Sequence, residues 1–192
     1  MINYQVILAT LTLACLSTVS ARFSRGRCST PHLEQNFDTT RYAGLWYEIY
    51  RDSETPFETN MKCVTATYGL NDDGTLSVKN IGVDIDDGDQ NIAQGYAYCQ
   101  NGEGDCTVKF NFLATGSYQV VETDYETYSL VSSCSDYYFF KTEFFWILSK
   151  NQTLPDSKIE QLKNVIEREL PNYTFGNLLK TQHDETCVYP RN

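Results

Sequence analysis

The side chains of this sequence best suited to chemistry are its cysteines, and their setting points to oxidative cross-linking. Of seven cysteines, Cys15 lies in an apolar leader, which leaves Cys28, Cys63, Cys99, Cys106, Cys134 and Cys187. An even set in a chain bound for an oxidising compartment reads as disulfides. Cys99 and Cys106 flank a short turn-rich stretch, a hairpin that brings its own ends together, so these two are expected to pair. The residues alone leave the other four unsorted. Metal chemistry is poorly supplied: no Cys-x-x-Cys spacing occurs and only His32 and His183 are present, short of a zinc ligand set. Asp84, Asp86, Asp87 and Asp89 gather in one stretch, but the order of an EF-hand fails and its closing glutamate is absent. They read as a solvated turn, and no metal site is expected.

Residues 1–21 carry no charge. Val6 to Leu16 is apolar but too short to cross a bilayer, and Val19-Ser20-Ala21 has the small-residue spacing of a signal peptidase site. The chain is therefore expected to lose 1–21 as a signal peptide and to reach the extracellular space as 22–192, a single domain without a membrane span. The formal charge of −10 falls wholly on 22–192. It argues against nucleic acid or an anionic membrane surface as partner, since both select basic patches. Asn151-Gln152-Thr153 and Asn172-Tyr173-Thr174 are glycosylation sequons, which makes Asn151 and Asn172 candidate acceptors.

The elements that must position these residues are mostly strands. From Gly44 to Lys150 short β-like runs alternate with turn clusters such as Asn71-Asp72-Asp73-Gly74 and Asp86-Asp87-Gly88-Asp89. The runs fall at 44–51, 63–71, 75–84, 91–100, 106–112, 116–124, 128–135 and 139–150. Eight antiparallel strands in up-and-down order can close into a barrel with room for one small ligand. Gly44-Leu45-Trp46-Tyr47 opens the first run. Its glycine lets the backbone bend across a barrel end, and the indole two residues on is large enough to plug that end. After the strands the period changes. Leu154-Pro155-Asp156 opens a helix with Ile159, Leu162, Val165, Ile166 and Leu170 on one face, and Pro171 ends it. Such a helix is expected to pack on the outside of the barrel, and the following segment 174–188 to include a short extended stretch.

In three separated places the chain resembles the lipocalins, secreted barrels that hold small lipophilic molecules. Asn36-Phe37-Asp38 through Gly44-Leu45-Trp46-Tyr47-Glu48-Ile49 resembles the family's first segment. Thr123-Asp124-Tyr125, ahead of Tyr128, resembles the second, a turn near the closed end. Phe145-Trp146-Ile147-Leu148-Ser149-Lys150, running into Leu154-Pro155, resembles the third, with lysine where many members have arginine. The likeness is greatest to the branch of apolipoprotein D, the insect bilin-binding proteins and the crustacyanins. It implies that Gly44, Trp46, Lys150, Thr123, Asp124 and Tyr125 build the barrel floor, with the cation over the Trp46 face. It also implies the pairs Cys28–Cys134 and Cys63–Cys187, each closing a long loop and worth about 2–4 kcal/mol, beside Cys99–Cys106.

Strand alternation predicts the lining of the cavity. With Trp46 inward, Glu48 and Tyr50 share its face; with Trp146 inward, so do Phe144, Thr142 and Phe140. Tyr68 and Asn80 fall on the apolar phase of their strands, Tyr118 is a further inward candidate, and Ala93, Gly95 and Ala97 leave space. The resemblance places Tyr68, Asn80 and Trp146 among ligand-facing groups. The ligand-binding candidates are thus Tyr50, Tyr68, Asn80, Tyr118, Phe144 and Trp146, and Glu48 is expected as a buried counter-charge to Lys150. The function implied is a carrier or store for a small hydrophobic molecule of bilin, carotenoid, retinoid, sterol or fatty-acid type, with no cofactor in the catalytic sense. One alternative is an enzyme acting on a lipophilic substrate, which would need a partner for the lone inward acid Glu48. Another is an interaction protein, in which the aromatics Tyr137-Tyr138-Phe139 serve a partner or a homo-oligomer. With the cysteines assigned to disulfides and no histidine on a cavity strand, no catalytic residue is expected.

Overall fold

A computed structural model of the chain describes residues 23–100, 102–110 and 114–189; the leader expected over 1–21, with Cys15, lies outside them. A short strand β1 (Phe23–Arg25) and one turn of helix α1 (Thr39–Tyr42) come first. Eight longer strands follow: β2 (Gly44–Asp52), β3 (Met61–Leu70), β4 (Leu76–Asp84), β5 (Gln90–Cys99), β6 (Asp105–Lys109), β7 (Thr115–Thr123), β8 (Tyr128–Tyr137) and β9 (Phe140–Ser149). Then come α2 (Asp156–Glu169), a 3-10 turn (Phe175–Asn177) and β10 (Leu178–Lys180). These are the runs the turn clusters delimit, to within a residue or two. The exceptions are β6, expected over 106–112, of which 111 and 112 lie outside the described residues, and the short β1, α1 and β10.

Each long strand pairs antiparallel with the next, and β9 returns to β2, so the sheet closes into an eight-stranded barrel. Closure leaves no long edge to recruit another chain. β1 extends the free upper edge of β9 and β10 that of β2. Because strands alternate in direction, the loop 53–60 and the hairpin at Tyr138-Phe139 lie at one end, the mouth. The start of β2 and the end of β9 lie at the other.

Alternation divides the apolar side chains into two cores. Trp46, Ala66, Tyr68, Leu76, Val78, Ala97, Val120 and Val131 point inward and meet Phe37 and Tyr42. Ile49, Leu130, Phe145 and Ile147 point outward, where Leu162, Val165, Ile166 and Leu170 of the helix segment cover them. Each such side chain buried contributes about 1.5–3 kcal/mol, which is why α2 docks on the barrel. The helix begins after Pro155, whose missing N–H is no loss there. It ends at Leu170, which leaves helical geometry at φ −136° just before Pro171.

Three disulfides fasten the chain: Cys28–Cys134, Cys63–Cys187 and Cys99–Cys106. They join the pairs that the hairpin and the resemblance call for. The N-terminal segment is sewn across the closed end by Glu34 N–H to the Val120 carbonyl (2.9 Å), Gly104 N–H to the Glu34 carbonyl (2.8 Å) and Phe37 N–H to the Gly102 carbonyl (2.7 Å). Pairing shifts register between Glu48 and Tyr50, between Lys62 and Thr65, and between Val120 and Glu122. Such bulges redirect the side chains that follow them.

Candidate ligand-binding site

The floor forms where β2 begins and β9 ends. Trp46 is fully buried, and its Nε1 donates to the Tyr42 carbonyl at 2.8 Å. Lys150 Nζ stands 3.9 Å from the centre of the indole and donates to the Ala43 carbonyl at 3.0 Å, a cation–π cap without the planar stacking of a guanidinium. Burial pushes the Lys150 ammonium down to about 8. Gly44 has φ 105°, which a side chain would oppose. In the β7–β8 turn, Asp124 Oδ1 accepts from the N–H groups of Glu126 (3.0 Å), Thr127 (2.7 Å) and Tyr128 (3.0 Å). Burial works to raise that carboxyl, but these bonds and one from Thr127 Oγ1 prevail and hold it below its usual range. Thr123 Oγ1 donates to the Tyr128 carbonyl and accepts from Tyr125 N–H. The Tyr125 hydroxyl accepts from Asp38 N–H at 3.3 Å, and its ring lies 4.3 Å from the Arg41 guanidinium. These side chains take their partners from the protein itself.

Above the floor a line of hydroxyls crosses the barrel. Ser129 Oγ meets Tyr42 at 2.9 Å, Tyr42 meets Tyr118 at 2.8 Å and Tyr118 meets Tyr68 at 2.8 Å. Burial pushes the Tyr42 phenol up to about 12, and those of Tyr68 and Tyr118 well above their ordinary value. Tyr68 and Tyr118 therefore satisfy each other's hydroxyls and offer their rings to the space above. Asn80 sits higher on the inward face of β4, between Ala66 of β3 and Ala93 of β5 in register. Its Oδ1 is buried and has no hydrogen-bond partner. Such an atom costs about 1–3 kcal/mol, so it marks a place the folded chain leaves incomplete.

Two expectations are corrected here. Tyr50 does not face the cavity: the bulge after Glu48 adds one residue to the strand and reverses the phase. Tyr50 then pairs with Ile147 and packs outside against Phe175, ring centres 5.3 Å apart. Arg51 takes the inward position beside Trp146. Glu48 is not the counter-charge of Lys150 either. Lys150 caps the floor at Ala43, whereas Glu48 lies further up β2 and accepts from Arg51 Nη1 at 3.0 Å and from Thr181 Oγ1. Both Glu48 and Arg51 are buried, and the bulge is what puts residues three apart on one face.

The mouth supplies residues that alternation could not reach. The loop 53–60 turns inward and buries Glu58, whose Oε2 accepts from Trp146 Nε1 at 2.9 Å. Burial, then the nearby Glu48 carboxylate, pushes the Glu58 carboxyl well above its usual range, and the two carboxyls share a hydrogen bond. Phe57 from the same loop lies over Trp146, interplanar angle 26°, and over Phe144, while remaining 58 % exposed. Phe144 and Trp146, 6.2 Å apart, thus line the upper wall beneath this loop. The only hint in the sequence is an apolar residue, Phe57, inside an otherwise polar stretch. Among the described residues, the one grouping of three potential metal ligands is Cys63, Asp184 and Cys187, whose two sulfurs are bonded to each other.

This geometry has counterparts among known proteins. A family model described as a lipocalin-like domain matches residues 37–183. Apolipoprotein D of Rattus norvegicus is 33% identical over 165 residues, covering 84% of this chain and 86% of that protein. The outer membrane lipoprotein Blc of Escherichia coli (strain K12) is also 33% identical over 165 residues, covering 82% and 90%. Among solved structures, insecticyanin from the tobacco hornworm Manduca sexta superposes with a TM-score of 0.76 at 22% identity, covering 88% of this chain and 92% of its own. Lobster apocrustacyanin A1 does so with a TM-score of 0.71 at 22% identity, covering 86% and 93%. A floor closed by Trp46 and Lys150, an eight-stranded barrel and a single packed helix, with a family model spanning most of the chain, make this protein a member of the lipocalin family.

Proposed function

We infer that the chain is a secreted carrier or store for a small hydrophobic ligand held in the barrel, above Tyr68 and Tyr118 and below the loop 53–60. The observation that carries this reading is Asn80 Oδ1. Of the polar groups on the wall, the Tyr68 hydroxyl and Trp146 Nε1 already have partners, while Asn80 Oδ1 has none. It is flanked by two alanines that leave room beside it. A lipophile burying roughly 300 Å² of apolar surface gains about 7 kcal/mol before ordering costs, and one hydrogen bond to Asn80 adds about 0.5–1.5 kcal/mol. Burial then sets affinity and Asn80 sets orientation. Tyr68, Asn80, Tyr118, Phe144 and Trp146 are the ligand-facing residues in this reading, and Gly44, Trp46, Lys150, Thr123, Asp124 and Tyr125 are structural. An uncharged pigment of the carotenoid type fits an aromatic cavity of this kind. Secretion follows removal of 1–21, and Asn151 and Asn172, exposed at the two ends of α2, are the sites of glycosylation. An enzymatic role is disfavoured because Glu48 is held in an ion pair, Glu58 is engaged by Trp146, and the six cysteines from Cys28 onward are bonded in disulfides.

The test is the absorption spectrum and extractable mass of protein purified from its source. A visible band identifies a pigment carrier, and a co-purifying lipid mass identifies a lipid carrier. Protein that is colourless, yields no small molecule and takes up no lipophilic probe refutes the reading.

A further inference from the structure

We propose that the polar group formed by Glu48, Arg51 and Glu58 makes the barrel selective for uncharged lipophiles bearing a hydroxyl or N–H donor, and against lipophilic carboxylates. The proposal rests on the carrier reading and names the ligand class for that same cavity. Two carboxyls reach the interior at the mouth, Glu48 from β2 and Glu58 from the loop 53–60, and both are buried. One guanidinium faces them. Arg51 Nη1 serves Glu48 at 3.0 Å and Thr181 Oγ1 at 3.2 Å, and Nη2 serves the Met61 carbonyl at 3.0 Å. The remaining neighbours inside are Trp146 Nε1 on Glu58 and the uncharged Tyr68 phenol, while the His183 ring packs against the outward-facing Tyr47. Lys62, near the start of β3, is engaged by Asp184 and Thr186. Lys79, Lys109 and Lys141 lie on the outward phase of β4, β6 and β9, opposite to Val78, Val108 and Trp146, and Lys150 is held at the floor.

A ligand carboxylate would thus be a third carboxyl beside two, with the single cation already committed to Glu48 and the proton that Glu58 retains already used in its hydrogen bond to Glu48. In a site shielded from water such a charge must find a partner or take up a proton, and either lowers affinity. A head left outside the mouth leaves Asn80 Oδ1 without a donor. A hydroxyl or N–H brings no charge and can donate to Asn80 Oδ1, an acceptor with no partner. Selection comes from the repulsive element as much as from the attractive one.

Retinol and retinoic acid share a hydrocarbon body and differ at the head, so their titration against tryptophan fluorescence at about pH 7.5 isolates this effect. Wild type is expected to bind retinol at least about tenfold more tightly than retinoic acid. Glu58→Gln keeps an acceptor for Trp146 Nε1 and removes the acid, and it should narrow the difference to about threefold or less. Equal or tighter binding of retinoic acid by wild type overturns the proposal, and so does an unchanged difference in folded Glu58→Gln; either leaves the carrier reading in place. The wild-type comparison needs no variant, so misfolding of Glu58→Gln cannot shelter the idea. If neither retinoid binds, octadecanol and octadecanoic acid repeat the comparison by displacement of a fluorescent lipid probe. Absence of all binding overturns the carrier reading itself.

Discussion

At the scale of single residues, the division between floor and wall can be measured. Trp46 is fully buried beneath Tyr42 and over Lys150, so Trp46→Ala should cost about 3–5 kcal/mol of stability, read from denaturant unfolding. Trp146 is only half-buried and meets Phe57, Phe144 and Glu58 at the mouth. Trp146→Ala should therefore weaken ligand binding more than folding. Equal stability losses for the two would refute the division. Asn80 makes a sharper case, because its buried Oδ1 has no partner in the protein. Asn80→Val removes an atom that costs about 1–3 kcal/mol when unsatisfied and suits a strand. It is expected to raise the melting temperature of ligand-free protein while lowering affinity for a hydroxyl-bearing ligand by about 0.5–1.5 kcal/mol. Such a trade of stability for binding is the mark of a functional position. Loss of stability in Asn80→Val would mean that the asparagine serves the fold.

At the scale of elements, the turns carried more information than the strands between them. Gly, Asn and Asp clusters placed the β3–β4, β4–β5 and β5–β6 hairpins, where Gly74, Gly88 and Gly102 take the positive φ, whereas the β8–β9 turn sets Tyr138 there. Alternation located Trp46, Tyr68, Asn80 and Trp146 on the inward phase, since each lies on a stretch of strand without a register change before its neighbours. It failed at Tyr50. A bulge between Glu48 and Tyr50 depends on how β2 crosses from β3 to β9, a tertiary matter with no local code. The same event carried Arg51 inward unseen. Glu58 was invisible for another reason: the loop 53–60 has no period, and its inward turn is fixed by Trp146 on a strand 88 residues away. The β7–β8 turn, by contrast, is local. Asp124 accepts three backbone N–H groups within four residues, so Asp124→Ala should cost about 1–2 kcal/mol by thermal unfolding and leave ligand affinity unchanged. An affinity loss equal to that of Trp146→Ala would place this turn in the binding site instead.

At the scale of the whole molecule, stability should depend on pH through groups at opposite ends of the scale. Glu169 is held down to about 2 by Arg168 and then by His32, which ties the N-terminal segment to α2. Asp184 is held at about 2 by Thr186 and Lys62 beside the Cys63–Cys187 bridge. A carboxyl depressed in the folded state contributes stability above its unfolded value that is lost as pH falls through the folded one. Unfolding below about pH 4 is thus an acid limb set by these contacts. Glu58 works in the other direction. Its carboxyl is raised in the folded barrel by burial and by Glu48, so the unfolded chain gives up this proton at a lower pH than the folded one does. The stability it contributes is complete below the ordinary carboxylate range and lost as pH rises through its raised value. Ionisation there would set two buried carboxylates against one Arg51 and loosen the loop that covers the mouth. The melting temperature of wild type should accordingly fall as pH rises above the ordinary carboxylate range, and Glu58→Gln, which has no proton to lose, should flatten that slope. Parallel slopes in the two proteins would show that Glu58 is ionised throughout, and that the loop 53–60 is fastened by Phe57 and its backbone alone.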